Sequence, residues 1–175
     1  MNIEWKGPES HIRSEPLFLD DAGKAAPLWL IVTVVSGTIH KIHLQLKRPQ
    51  IRPSRPLIAN VLRQILLNMD NDSMRLEFHA HGTSFQKAVW DETCKIPHGH
   101  LATYGAIAKR IGCGSARAVG QALKKNPLPI IIPCHRVVGA NGNLTGFSSG
   151  IEIKKRLIEF ESKIKEGAYS ENSNI

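Results

Sequence analysis

Residues Leu28 to Val35, Leu-Trp-Leu-Ile-Val-Thr-Val-Val, form an unbroken apolar run rich in β-branched and aromatic side chains. Residues Thr38 to Leu44 then mix apolar Ile39, Ile42 and Leu44 with polar His40, Lys41 and His43. With Ser36-Gly37 between them, the two segments predict a β-hairpin. After the breaks at Pro49 and Pro53 the period changes. Leu57, Val61 and Ile65 recur at helical spacing, and Ile58, Leu62 and Leu66 widen the stripe into one amphipathic helix. Asn68 to Ser73 reads as a polar turn and Arg75-Leu76-Glu77-Phe78 as a short strand.

At Gly82-Thr83-Ser84 the composition shifts to helix formers. Thr83 or Ser84 is the expected N-cap of a helix whose apolar face carries Phe85, Val89 and Trp90. Tyr104 to Arg110 predicts a second short helix. Gly112-Cys113-Gly114 predicts a tight turn, and Ser115 caps a further helix through Ala116-Arg117-Ala118-Val119-Gly120-Gln121-Ala122-Leu123. That is helix-turn-helix spacing, the shape that sets a helix into a DNA groove, although two ordinary packed helices have the same pattern. The expected fold class is α+β. The chain is expected to divide into an N-terminal α/β domain (1–80), a mainly helical C-terminal domain (81–163) and a flexible tail (164–175), the polar stretch from Ser162 onward fraying.

The chain has 175 residues, enough for one ordinary domain or two small ones. Its formal charge of +8 favours a polyanionic partner. The longest apolar run, from Pro27 to Val35, falls far short of the ~20 residues a membrane span requires, and no targeting segment is evident. Three cysteines, Cys94, Cys113 and Cys134, make neither a disulfide framework nor a metal knuckle, which fits a reducing, cytoplasmic or nuclear setting. The eight histidines are scattered without Cys or carboxylate at ligand spacing, so no metal and no cofactor are expected. Cys94, in an apolar helix, and Cys113, in a turn, are read as structural.

Ile130-Ile131-Ile132-Pro133-Cys134-His135-Arg136-Val137-Val138 carries the chemistry. An apolar, strand-like run delivers a cysteine flanked by Pro and His. A cysteine nucleophile needs a base to take its proton, and histidine is the usual one. A Cys-His pair alone equally describes a buried core thiol.

The wider context resembles the O6-alkylguanine-DNA alkyltransferase family. The resemblance runs through Gly82-Thr83-Ser84-Phe85-Gln86, Val89-Trp90, Tyr104-Gly105, Ala116-Arg117-Ala118-Val119-Gly120, the stretch from Asn126 to Val138, Gly146-Phe147-Ser148-Ser149-Gly150 and Lys154. It is strong over residues 82–161 and rests only on strand, strand and helix order before that. It implies a ribonuclease-H-like first domain and a winged-helix-like second one. It also implies a partner, double-stranded DNA containing O6-alkylguanine, with O4-alkylthymine as a further candidate lesion, and a monomer that acts once.

On that resemblance Cys134 is the alkyl acceptor. His135 and Glu161 form a relay in which a bridging water carries the thiol proton. Tyr104 donates to the departing base. Arg117 fills the gap left by the flipped nucleotide, with Ser115 and Ala116 beside it at the DNA. Asn126 ties the helix-turn-helix to the active-site segment. Phe147, Ser148 and Ser149 wall the base pocket, Ser148 offering a backbone donor towards O6, while the carbonyls of Cys134 and Val137 accept from the guanine amine.

Three residues depart from the family pattern: Phe147 stands where Tyr is common, Ser149 where Gly is common, and Ser84 where Pro is usual. A side chain at Ser149 is expected to narrow the pocket against bulky alkyl groups. Some family members hold a structural zinc through cysteines of the first lobe, and this lobe has none. Two other functions remain open from sequence. One is a non-catalytic sensor of alkylguanine with the same fold, which would lack the reactive cysteine that this chain keeps. The other is a thiol hydrolase, which would turn over.

Overall fold

The computed structural model describes residues 10–17, 27–51, 57–67 and 77–165. Pro53, the Asn68–Ser73 turn, Arg75 and Leu76 of the expected third strand, and the tail beyond residue 165 lie outside the described residues.

The predicted hairpin is present as β2 (Leu28–Val35) and β3 (Thr38–Gln45). Ser36 and Gly37 both take positive φ, 47° and 82°. Positive φ at both central residues is the turn whose twist matches that of the strands it joins. Leu28, Leu30, Val32 and Val34 face inward with Ile39, Ile42 and Leu44. The register slips between Thr33 and Val34: Thr33 pairs with Lys41 and Val34 with Ile39, so His40 has no partner on β2.

The sequence reading missed β1 (Ser10–Leu17), which pairs antiparallel with β2 and completes a sheet of order β1-β2-β3. Its buried residues include the polar Ser14 and Glu15, so the apolar alternation that marks a half-buried strand is missing. Glu15 instead accepts a hydrogen bond at 2.8 Å from the backbone amide of Ala59, in the first turn of α1 (Leu57–Leu66). A carboxylate there meets both an orphan amide and the positive end of the helix. Helix α1 buries Ile58, Ala59, Val61, Leu62 and Leu66. Of the expected strand around Phe78, the described part is a single parallel bridge from Phe78 to Ile39.

Helix α2 (Ser84–Cys94) is capped by Thr83, not Ser84. Its hydroxyl accepts from the Gln86 amide while the Gln86 side chain accepts from the Thr83 amide. Val89 and Trp90 are buried, but Phe85 is exposed. The Trp90 indole donates to the Ala122 carbonyl at 3.1 Å and ties α2 to α4 (Ala116–Lys124). Helix α3 (Tyr104–Arg110) and α4 are joined through Gly112 at φ 67°, with Ser115 capping α4 through the Ala118 amide. Strands β4 (Ala102–Thr103) and β5 (Val137–Val138) pair in parallel. Helix α5 (Ile151–Lys165) packs Ile153, Leu157 and Phe160 into the core. It continues to Lys165, so residues 162–165 are helical and not part of a frayed tail.

The run expected to be strand-like before Cys134 is a turn. Ile130 has φ 79°, and the Ile132 amide donates back to the Leu128 carbonyl at 2.9 Å. A β-branched residue in the left-handed region is a costly conformation, held only where its surroundings over-determine it. Here Leu128 and Ile130 are buried and Asn126 hydrogen-bonds across the loop. Apolar runs of this length do not distinguish strands from buried turns. Among the described residues no helix is long and apolar enough to cross a membrane.

Candidate active site

Cys134 opens a single 3₁₀ turn, Cys134–Arg136, between the Ile130 turn and β5. The thiol is buried, and burial pushes it up to about 11, against the pull of the Asn126 hydrogen bond and the charge of Lys154. At neutral pH the resting group is therefore a thiol whose proton must leave before it can act.

Asn126 braces this segment. Its Oδ1 accepts from the Leu128 amide at 2.9 Å, and its Nδ2 donates to the Ile132 carbonyl at 2.9 Å and to Cys134 Sγ at 3.0 Å. One buried amide thus connects the end of α4 to the cysteine.

His135 is completely buried. Its Nε2 lies 2.9 Å from Glu161 Oε1. Burial weakens the carboxylate, but the hydrogen bonds from His135 and Arg136 outweigh it and hold Glu161 down to about 2. An ionised carboxylate only accepts, so Nε2 carries the proton and Nδ1 is the basic nitrogen. Nδ1 is buried and has no hydrogen-bond partner among the described residues. Burial also holds the imidazole below its ordinary value despite Glu161, so it is a neutral base near pH 7.

Two residues here were quoted in the sequence without a role. Arg136 donates to Glu161 through Nε at 2.9 Å and Nη2 at 2.8 Å, and through Nη1 to the Ile96 carbonyl at 2.8 Å. With the Gly99 amide at 3.1 Å, the Glu161 carboxylate is fully engaged. Lys154 is wholly buried, with Nζ 2.6 Å from the Val137 carbonyl and 2.9 Å from that of Thr145. Burial lowers it to about 8. A signal was available for two charged members of this cluster: Lys154 and Glu161 stand seven residues apart on the face of α5 that also carries Ile153, Leu157 and Phe160. Charge on a core stripe calls for buried partners.

Tyr104, half-buried at the start of α3, donates to the carbonyls of Thr145 at 2.8 Å and Gly146 at 3.2 Å. Burial raises its phenol, so it stays protonated. Its ring lies 5.7 Å from Lys154 Nζ. Tyr104 is also in the wall of a cleft of about 760 Å³, with Ala116, Arg117, Gly120, Gln121 and Lys124 of α4 on one side and Gly139, Ala140 and Thr145 to Ser148 on the other. Of the expected pocket residues, Tyr104, Ala116, Arg117, Phe147 and Ser148 line the cleft. Ser149 is not in its wall, so the expected narrowing has no counterpart there. Ser115 serves as the α4 cap. Val137 lies outside the cleft wall, with its carbonyl already accepting from Lys154. Cys94, expected within an apolar helix, is exposed at the end of α2. The first 80 residues contain no cysteine, so a cysteine-ligated zinc has no donor set there.

The site thus combines a helix-turn-helix, a cleft beside it, and a buried Cys, His and Glu. Residues 84–163 match the family model of the 6-O-methylguanine DNA methyltransferase DNA-binding domain. The chain is 58% identical over 81 residues to the methylated-DNA–protein-cysteine methyltransferase of Methanosarcina mazei, covering 46% of this chain and 51% of the relative. It thus spans about half the length of the curated relatives it matches. Similarity to solved structures is broader. The Mycobacterium tuberculosis OGT in complex with DNA superposes with a TM-score of 0.64 at 32% identity, covering 87% of this chain and 94% of that one. The O6-methylguanine-DNA methyltransferase of Pyrococcus kodakaraensis gives 0.69 at 28% identity over 86% and 99%. The chain belongs to the O6-methylguanine-DNA methyltransferase family.

Proposed function

We propose that this protein repairs DNA by direct reversal, moving an alkyl group from O6 of guanine to Cys134 once per molecule. The observation that carries the reading is the buried relay: His135 Nδ1 is free to accept while Nε2 is fixed on Glu161 at 2.9 Å. The Cys134 proton passes to His135 through a bridging water, and the thiolate attacks the alkyl carbon in line. The carbon–O6 bond breaks as the carbon–sulfur bond forms. Tyr104 protonates the ring nitrogen of the departing guanine, and the proton released by the thiol balances the one the base takes up.

Arg117 and Ala116, in the cleft wall, occupy the space of the flipped nucleotide, whose extrusion costs a few kcal/mol. Ser115 starts the helix that carries them. Phe147 and Ser148 of the cleft wall close on the base, with Ser149 following them outside that wall, the Ser148 amide towards O6, and the Cys134 and Val137 carbonyls accepting from its amine. Val137 has a second lone pair for this beside its bond to Lys154.

The reading includes a ribonuclease-H-like domain over residues 1–80 and a winged-helix-like domain over 81–163. The +8 charge supports double-stranded DNA as the partner, and the free cysteines support a reducing cytoplasm. It includes a monomer as the working unit.

Intact-mass measurement after mixing with duplex DNA containing one O6-methylguanine tests the proposal, with Cys134→Ser in parallel. A gain of one methylene, mapped to Cys134 and limited to one per molecule, is expected. Lesion binding with no mass gain would make the protein a sensor and remove the roles given to His135, Glu161 and Tyr104.

A further inference from the structure

Helix α4 forms one wall of the cleft, and four of its residues are exposed: Ala116, Arg117, Gln121 and Lys124. Positions 117, 121 and 124 are four and three residues apart, a spacing that puts their side chains on one face of a helix. Arg117 and Lys124 are cations. Gln121 is the neutral member of this stripe, and its side-chain amide has no hydrogen-bond partner among the described residues.

Gln121 also stands on a crest. It lines the cleft of about 760 Å³ and, with Thr83, Phe85, Gln86 and Lys125, a second hollow of about 320 Å³. Its neighbours Ala118 and Gly120, and Ala116 one turn earlier, carry no more than a Cβ. Nothing bulky on α4 therefore holds the stripe away from a duplex laid against it.

From this placement we propose that Gln121 reads a base pair beside the lesion and gives alkyl transfer a preference among flanking sequences. That role rests on the alkyl-transfer reading, with Arg117 in the place of the flipped nucleotide. Four residues of α-helix rise ~6 Å, and successive bases of one strand are ~3.4 Å apart, so Gln121 reaches one to two steps beyond that gap. Lysine and arginine side chains only donate, and phosphates, present at every step, satisfy them whatever the sequence. A carboxamide donates and accepts in one plane. It matches the paired donor and acceptor of an adenine edge in the major groove, and in the minor groove it tells the guanine amine from the bare acceptors of an A·T pair.

Duplexes that carry one O6-methylguanine and differ only in the two base pairs on either side of it test the role. The full chain and Gln121→Ala are compared for single-turnover transfer rate and, separately, for binding by gel shift. The native chain should separate its best from its worst flanking sequence at least ~5-fold, the low end for a specific contact between a side chain and a base. Gln121→Ala should draw these values together across the set. The position is exposed and alanine is the strongest helix former, so the variant should melt at the native temperature. A native chain without preference, a variant that keeps it, or a variant weakened equally on every duplex, as loss of a phosphate contact would do, would each overturn the proposal. Absence of transfer by the native chain would instead overturn the repair reading, and the binding series would still decide whether Gln121 reads sequence.

Discussion

Asn126 Nδ2 lies 3.0 Å from Cys134 Sγ, and the same amide group bonds the Ile132 carbonyl and the Leu128 amide. The Cys134 thiol therefore gets its position and part of its acidity from one side chain at the end of α4. The Asn126 bond and the Lys154 charge are the two influences that most oppose the effect of burial on this thiol.

Asn126→Ala removes all three contacts and leaves buried groups without partners, each worth about 1–3 kcal/mol. We expect a fall of several degrees in melting temperature and an upward displacement of the Cys134 titration, followed as thiolate absorbance. Lys154→Met should displace the same titration upward and slow transfer. An unchanged titration in both variants would separate these residues from the thiol.

Glu161 accepts from the buried His135 and Arg136 and from the part-buried Gly99 amide. Glu161→Gln leaves Arg136 as a buried charge without its carboxylate, a change that costs about 3–5 kcal/mol. The pH dependence follows from the depressed carboxyl. With a folded value of about 2, below the ordinary 4.5, its stabilisation is complete above the ordinary carboxylate range. It is lost as pH falls from there towards about 2. Urea midpoints measured from pH 6 downward should decline in the native chain, and that part of the decline should be absent from the Gln variant.

Tyr104→Phe keeps the ring against Lys154 and removes only the hydroxyl. Losing two exposed-side hydrogen bonds should cost about 1 kcal/mol. Losing an acid that protonates the leaving base should slow transfer about 10²-fold or more. Single-turnover kinetics alongside a gel-shift assay for lesion binding checks this: the rate should fall with affinity nearly unchanged.

Gly82 tests the packing between α2 and α4. A Cβ at this position would stand 2.5 Å from Cη2 of Trp90. Gly82→Ala must displace the indole and its 3.1 Å bond to the Ala122 carbonyl. We expect destabilisation of about 1–3 kcal/mol, typical of overpacking, with a changed tryptophan fluorescence spectrum.

Much of this molecule was legible from its sequence because the relevant signals are local. An unbroken run of β-branched and aromatic residues gave β2, the interspersed apolar and polar residues gave β3, and Ser36-Gly37 gave the turn. Capping is a contact within four residues, so Thr83 and Ser115 marked where α2 and α4 begin. The short run around Cys134 marked the candidate nucleophile. Composition and charge pointed towards a nucleic-acid partner.

Other features depended on groups brought together from afar. Strand β1 escaped notice because its buried side chains include Ser14 and Glu15, made tolerable by contacts with Ile51 and Ala59 that no local pattern shows. The apolar run before Cys134 became a turn because Asn126 and core packing hold Ile130 at a positive φ. Arg136 and Lys154 had no assigned work until Glu161, Val137 and Thr145 were placed against them. Sequence by itself determined the local elements and singled out Cys134 as the candidate thiol. Only the tertiary structure decided what surrounds that thiol, because desolvation and charge pairing depend on distance in space and not on separation along the chain.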